Sequence, residues 1–157
     1  LRDRIKIGAS GKITSAFDMA RVMALGADWC NAARGFMFAV GCIQAQSCHT
    51  GQCPTGVTSQ DPMRQRALVV PDKAERVANF HRNTLLALTE LVSAAGLAHP
   101  AGLRPHHFLR RASSDKVISF AEQYELLLPG QLLSDPKSSP RFGPAWVSSR
   151  ADSFEHA

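Results

Sequence analysis

The sequence lacks the features that mark membrane, secreted and nucleic-acid-binding proteins. It has no signal peptide and no apolar run of the roughly 18 to 20 residues that a membrane-spanning helix requires. Aromatic residues make up 7% of the chain without a base-stacking pattern, and no helix-turn-helix signature accompanies the net charge of +5. We therefore expect a cytoplasmic protein with no membrane span in this segment and no nucleic-acid partner.

Glycine-rich nucleotide-binding motifs are missing as well. The GASGK run at residues 8–12 is not a Walker A motif, because Lys6 and Ile13 stand where that motif needs a glycine and a Ser or Thr. No G-x-G-x-x-G follows a strand. A dinucleotide site is therefore not expected in this segment, and reducing equivalents would arrive from an external donor.

Three of the four cysteines lie within twelve residues. Cys42, Cys48 and Cys53 have the spacing C-x5-C-x4-C, with a proline after the last cysteine and glycines that allow the backbone to turn inward. Three thiolates can bind three irons, which predicts a [3Fe-4S] cluster. A [4Fe-4S] cluster would need Cys30 or an outside residue as its fourth ligand.

Other interpretations of these cysteines remain open. A zinc site could add His49, although His49 adjoins Cys48 and the spacing is not that of a zinc knuckle. Disulfides are disfavoured because nothing in the sequence indicates secretion. Free cysteines are often buried in cores, and that role suits Cys30, which lies in an apolar run, better than the clustered three.

The apolar pattern predicts an α/β fold. A strand at residues 5–9, a helix at 15–25 and a buried strand at 29–33 form a βαβ unit, which implies a parallel sheet. Ser15 and Asp18 form a capping box at the start of the helix, and Gly26 ends it. The chain begins at Leu1 with a segment that leads directly into a strand, so we expect it to be part of a longer protein.

The second half is expected to be helical. A helix is predicted at 72–95, with Asp72 and Glu75 as its capping box and Gly96 as its stop, and a weaker one at 114–128. From Ser134 onward the sequence is rich in Ser and Pro and lacks periodicity, which indicates a mobile tail. The predicted division is therefore residues 1–70 for the βα units and cysteine loop, 71–130 for a helical extension, and 131–157 for the tail.

Two small-residue loops follow the predicted strands and are candidate phosphate sites. Parallel α/β folds often bind phosphate through backbone N–H groups in such loops and at helix N-termini. Ordinary βα turns have the same composition, so this interpretation competes with a purely structural one. The candidate residues are Ser10, Gly11 and Lys12 in the first loop, and Ala33, Arg34 and Gly35 in the second.

The segment that contains these features resembles the FMN-binding synthase domain of the glutamate synthase family. The resemblance rests on the run GADWCNAARGFMFAVGCIQAQSCHTGQCPTGVTSQD at residues 26–61 and on its core C-H-T-x-x-C-P-x-G-V. It extends over roughly residues 1–111.

This resemblance implies the C-terminal fragment of a (β/α)8 TIM barrel with a helical extension, FMN as a cofactor, and a [3Fe-4S] cluster on Cys42, Cys48 and Cys53. The implied activity is that of an oxidoreductase acting on CH-NH2 donors, which reduces 2-iminoglutarate from 2-oxoglutarate and ammonia to L-glutamate. The expected electron donor is ferredoxin or an NAD(P)H-oxidising subunit. No catalytic residue is assigned, and a non-catalytic or differently reacting electron-transfer or metal-binding module is the alternative.

Overall fold

Two short parallel strands joined by a helix begin the fold. The computed structural model describes residues 2–155 and divides the chain into two units, the first ending at Phe108 and the second beginning at Leu109. In the first unit, β1 (Gly8–Ser10) pairs in parallel with β2 (Trp29–Asn31), and α1 (Ala16–Ala24) connects them. The α/β class and the βαβ unit are therefore confirmed, although β1 lies a few residues later than predicted.

The start and end of α1 follow the local sequence signals. Ser15 accepts a hydrogen bond from the backbone N–H of Asp18, and the Asp18 carboxylate accepts one from the N–H of Ser15. At the other end, Gly26 has a φ of +112° and donates to the carbonyl of Met23, while Ala27 donates to that of Val22. This pair of bonds is a Schellman motif, which favours glycine at the left-handed position. Both predicted signals are confirmed.

The expectation that β2 is buried is wrong. Trp29 is 48% exposed, and Asn31 is exposed as well. Within residues 2–155 each of the two strands has a strand neighbour on one side only. Cys30, between the two exposed residues, is half-buried and its sulfur lies 3.9 Å from the carbonyl oxygen of Met19 in α1. The helix thus covers one face of the strand pair, and the other face meets solvent.

A close contact fixes α2 (Ala33–Val40) against the longest helix of the unit, α4 (Val70–Ala94). A Cβ placed on Gly35 would lie 2.7 Å from Cζ of Phe80, which is closer than two non-bonded carbon atoms approach each other. Phe36 adds an edge-to-face contact with the Phe80 ring at 5.2 Å between centroids. Because α4 also packs against α1, it holds both α1 and α2 in place.

The predicted start of α4 is wrong by two residues, and its capping box is absent. The N-cap is Val69, whose side chain makes no capping bond, and Pro71 occupies the first turn. Proline suits that position because its fixed φ is helical. It also lacks a backbone N–H, and an N–H in the first turn would have no acceptor within the helix. Asp72 is consequently the third helical residue. Gly96, with a φ of +73°, ends the helix in a Schellman motif as predicted.

A short helix, α3 (Pro62–Gln65), precedes α4. The first unit also has 3-10 turns after α2, at Cys48–Thr50, Pro100–Gly102 and Pro105–His107. No helix within residues 2–155 has both the length and the apolar character needed to cross a bilayer.

The second unit contains a hairpin where a helix was predicted. β3 (Leu109–Arg111) pairs antiparallel with β4 (Val117–Ser119), so the predicted helix at 114–128 is wrong. The N–H of Ala112 donates to the carbonyl of Lys116 at 2.8 Å and closes the turn. Helical structure begins only at α5 (Phe120–Gln123), where Ser119 and Glu122 form a capping box.

The region predicted to be a mobile tail contains short helices. These are α6 (Gln131–Ser134), a 3-10 turn at Pro136–Ser138 and α7 (Gly143–Ser148). Ser139, which follows the 3-10 turn, is 1% exposed. The mobility of this region stays a prediction.

Replacing Gly35 with alanine should loosen the contact between α2 and α4. The added methyl group meets the Phe80 ring, and overpacking of this kind costs about 1 to 3 kcal/mol of unfolding free energy. Denaturant unfolding of the full-length protein measures the loss. Combining Gly35→Ala with Phe80→Leu should recover part of the lost unfolding free energy, because the second change removes the ring that the added methyl group meets. The effects of two residues in contact are then not additive. Strictly additive losses would contradict the proposed contact.

Candidate functional site

A cleft of about 450 Å³ runs along α2. One end is lined by Ser10, Gly11, Lys12 and Asn31, which lie at or just after the C-terminal ends of the two parallel strands, and by Ala33 and Arg34 in the first turn of α2. Met37 and Phe38 form its middle, and Cys42, Gln44, Gln46 and Cys48 line the other end. A single cleft therefore joins the predicted phosphate loops to two of the three clustered cysteines.

Five of the six candidate phosphate residues line this cleft, and Gly35 does not. The lining set is Ser10, Gly11, Lys12, Ala33 and Arg34. Gly35 is buried against Phe80, so the absence of a side chain at this position has a packing reason. Its backbone N–H still belongs to the first turn of α2. The backbone contribution of Gly35 to a phosphate site stays a prediction.

The N-terminal end of α2 is suited to an anion. The first turn of a helix leaves N–H groups without partners inside the helix, and Ala32 at the N-cap has no side chain that could accept from them. The helix dipole adds partial positive charge at this end. The side chains of Lys12 and Arg34 at the same end of the cleft are both exposed and bring formal positive charge.

The C-terminal end of α2 positions the first cysteine. Gly41, with a φ of +123°, donates to the carbonyl of Phe38, and Cys42 donates to that of Met37, both at 3.0 Å. This Schellman motif turns the chain so that Cys42 lines the cleft. The ammonium group of Lys73 lies 3.3 Å from the point where a Cβ on Gly41 would stand, and a cation is favourable at a helix C-terminus.

The length of α2 sets the distance between the two ends of the cleft. The helix has eight residues, which correspond to about 12 Å along its axis. An atom bound at the first turn of α2 would therefore lie about 12 Å from Cys42 and would not touch it. This distance is comparable to the length of a small organic cofactor.

Strained backbone is concentrated at this cleft. Among residues 2–155, the residues other than glycine with a positive φ are Lys12, Gln44 and Gln46, with values of 54°, 57° and 57°. All three line the cleft. Left-handed backbone costs a residue with a Cβ about 1 to 2 kcal/mol, and such residues cluster at functional sites.

The three clustered cysteines differ in their surroundings. Cys42 is half-buried, and its sulfur accepts a hydrogen bond from the Gln44 N–H at 3.5 Å. Cys48 is exposed, whereas Cys53 is 7% exposed and does not line the cleft. No group of three or more His, Cys, Asp or Glu side chains in the described part of the chain is arranged to hold a metal ion. The structure thus brings Cys42 and Cys48 to one cleft but does not assemble the predicted three-thiolate site.

Hydrogen bonds favour the thiolate form of Cys53. The Thr55 hydroxyl, 3.4 Å from the Cys53 sulfur, and the Thr58 backbone N–H lower the pKa of this thiol to about 6, against the opposing effect of burial. Above that pH the thiolate predominates. The thiolate is the form that binds metals, so Cys53 by itself has the chemistry of a metal ligand, although the described residues hold no assembled group of three donors.

Cys30 lies in a different environment. It lines a separate cavity of about 290 Å³, together with apolar side chains that include Met19, Phe36 and Phe80. Burial raises the pKa of its thiol, which disfavours the thiolate. This agrees with a packing role and gives no support to Cys30 as a fourth metal ligand.

Three polar residues of the cleft were not identified from the sequence. Asn31 ends β2, and its signal would have been the end of a parallel strand, where α/β proteins place functional side chains. Gln44 and Gln46 gave no signal, because glycine and asparagine are the residues expected in left-handed backbone.

A family model described as the conserved region in glutamate synthase matches residues 1–98 of the chain. The glutamate synthase large subunit-like protein YerD of Bacillus subtilis (strain 168) is 43% identical over 119 residues, which are 76% of this chain and 23% of that protein. The archaeal glutamate synthase [NADPH] of Methanocaldococcus jannaschii is 36% identical over 104 residues, 66% of this chain and 20% of that protein.

Ferredoxin-dependent glutamate synthase 2 of Synechocystis sp. is 40% identical over 81 residues, 51% of this chain and 5% of that protein. The chain spans less than a quarter of the length of each of these curated relatives. No solved structure matches it.

Proposed function

The chain belongs to the glutamate synthase family, and from that premise we propose that it forms the FMN-binding and iron-sulfur segment of an oxidoreductase. The proposed reaction is the reduction of 2-iminoglutarate, formed from 2-oxoglutarate and ammonia, to L-glutamate. The observation that carries the proposal is the cleft along α2, which has an anion-binding character at one end and Cys42 and Cys48 at the other. A cytoplasmic location stays part of the proposal.

The proposed architecture is the last two βα units of a (β/α)8 barrel. Barrel enzymes place their sites at the C-terminal ends of parallel strands. Ser10 and Asn31 end β1 and β2, and both line the cleft. Two strands taken from a barrel would have an exposed face and one strand neighbour each. Within residues 2–155, β1 and β2 have one strand neighbour each, and Trp29 lies on an exposed face.

The residues at the N-terminal end of α2 fit the phosphate of FMN. Gly11, with a φ of +99° and no neighbouring atom within 4 Å of a Cβ position, leaves room for a phosphate to approach the backbone. The N–H groups of Ala33 and Arg34, together with the charge of Lys12, would bind it. FMN would supply hydride transfer when bound, and these residues would hold and orient it.

Cys42, Cys48 and Cys53 would hold the iron-sulfur cluster, which supplies one-electron transfer when bound. Cys42 is positioned by the Schellman motif of α2, and Cys53 by the hydrogen bonds that favour its thiolate. The alternative function, a non-catalytic or differently reacting electron-transfer or metal-binding module, draws support from the fact that the three side chains are not assembled in the described residues.

The proposal of an external electron donor is supported by the absence of a dinucleotide-binding motif in this segment. The names of the relatives include both NADPH and ferredoxin. We propose that electrons reach this segment from ferredoxin or from an NAD(P)H-oxidising subunit.

A steady-state assay of the full-length protein with 2-oxoglutarate and ammonia tests this function. Glutamate should form with reduced ferredoxin as the donor and not with NADPH alone. Efficient turnover on NADPH without any partner would contradict the external-donor proposal. A protein that forms no glutamate under either condition would instead support the alternative module.

Replacing Cys48 with serine should abolish iron-sulfur incorporation while flavin stays bound. A hard hydroxyl is a poor substitute for a soft thiolate, and Cys48 belongs to the chain after α2 rather than to its first turn. Iron, sulfide and flavin analysis of the anaerobically purified full-length protein measures the outcome.

Cys30→Ser is the matched control, because it changes a cysteine outside this cleft. It should lower stability without removing iron. Iron loss in Cys30→Ser would show that Cys30 is a fourth ligand and would contradict the three-cysteine site.

A further inference from the structure

The turn of the hairpin formed by β3 and β4 carries a serine that two arginines precede. Arg110 and Arg111 stand three and two residues before Ser113, with Ala112 between them and the serine. The family model matches residues 1–98, so this turn lies beyond the matched region. Membership of the glutamate synthase family therefore does not account for the motif.

This turn is accessible to another protein. Residues 109–117 are all exposed, and within residues 2–155 the hairpin has no third strand. A hairpin of two strands is only marginally stable by itself, and exposed turns of small polar residues are where other enzymes, such as proteases, reach a folded chain. The nearest buried residues along the chain are Phe108 and Phe120. Ser113 can therefore enter the active site of an enzyme while the buried residues stay in place.

The hydroxyl of Ser113 points to a neighbour within the turn. It donates a hydrogen bond to the Asp115 carboxylate at 2.7 Å. A hydroxyl has one proton and two acceptor lone pairs. Because this bond uses the proton, the lone pairs of the oxygen remain available to attack an electrophile.

The charges of the two arginines are available for recognition. Arg110 has no ion-pair partner in the described part of the chain, and the Arg111 guanidinium donates to the backbone carbonyl of Ser114 at 3.1 Å. Guanidinium groups form strong bidentate hydrogen bonds with carboxylates, and complementary charge selects protein partners. An enzyme with acidic side chains beside its active site would therefore select this turn.

We propose that Ser113 is a phosphorylation site for a protein kinase that recognises Arg110 and Arg111 through acidic side chains. The co-substrate is a nucleoside triphosphate bound to the kinase with Mg²⁺. The Ser113 oxygen forms a bond to the γ-phosphorus, and the bond from that phosphorus to the bridging oxygen of the β-phosphate breaks. The nucleoside diphosphate leaves, and the hydroxyl proton passes to a base of the kinase.

Phosphorylation would neutralise the turn. Arg110, Arg111 and Lys116, against Asp115, give residues 109–117 a net charge of +2, and a phosphate adds a charge of about −1.5 to −2 at pH 7. The phosphorylated side chain has no hydroxyl proton to donate to the carboxylate, which then repels it. The cations of the same turn are the partners that a phosphate binds instead.

The test is phosphate incorporation into the folded full-length protein. The probe is the catalytic subunit of cyclic-AMP-dependent protein kinase, which selects serines that two arginines precede, with radiolabelled ATP and Mg²⁺. Peptide mass spectrometry locates the phosphate. We expect stoichiometric labelling of Ser113 and its loss in Ser113→Ala. Ser114→Ala is the matched control, because it removes the neighbouring hydroxyl of the same turn, and labelling should persist.

Two variants that each remove one charge test the recognition. Arg110→Gln removes a cation before the serine and should lower kcat/KM for phosphorylation about tenfold. Lys116→Gln removes a cation of the same turn that follows the serine, and it should leave kcat/KM unchanged. Equal losses in the two variants would attribute the effect to net charge alone and overturn the inference.

The remaining outcomes concern where and when the phosphate appears. Phosphate on Ser114 in place of Ser113, or labelling only after the protein is unfolded in urea, overturns the inference. Mass spectrometry of the full-length protein isolated with phosphatase inhibitors from the cells that make it should find phosphate at Ser113. Its absence from cells grown with both abundant and limiting nitrogen overturns the inference. None of these readouts involves flavin, iron or glutamate formation, so each of these results leaves the proposed function intact.

Discussion

The contact between Gly35 and the Phe80 ring determines where both ends of α2 lie. Because glycine allows the helix to approach α4 closely, α2 is held against α4. Its N-terminal turn then faces the loop after β1, and its C-terminal Schellman motif sets the direction of the cysteine loop. One packing contact thus aligns the anion-binding end and the cysteine end of the cleft at a separation of about 12 Å.

The cleft combines a regular scaffold with irregular backbone. Helices α1, α2 and α4 end in glycine-based motifs that satisfy their terminal carbonyls at little conformational cost. Lys12, Gln44 and Gln46, by contrast, adopt left-handed backbone in spite of their side chains. At Gln44 this conformation accompanies an N–H donated to the Cys42 sulfur. The observed strain therefore coincides with the positions at which backbone and side chains would meet a ligand.

Local signals in the sequence predicted those features that depend on neighbouring residues. The capping box of Ser15 and the glycine stops at Gly26 and Gly96 are of this kind. The capping box predicted at Asp72 is absent because the helix begins two residues earlier, at Val70. The prediction of a helix at 114–128 was wrong although the apolar spacing there suits a helix. The hydrogen bond from Ala112 to Lys116 in the turn and the pairing of β3 with β4 favour a hairpin instead. The packing role of Gly35 depends on a tertiary contact, which periodicity does not reveal. The left-handed backbone at Gln44 and Gln46 had no signal in the sequence, because glutamine is not a residue expected there.

The central claim is that this segment binds both a flavin and an iron-sulfur group. The most direct measurement is the absorption and electron paramagnetic resonance spectrum of the anaerobically purified full-length protein, with analysis of iron, sulfide, zinc and flavin. The account predicts flavin bands together with an iron-sulfur signal and matching iron and sulfide. Stoichiometric zinc with neither iron-sulfur bands nor flavin would contradict it.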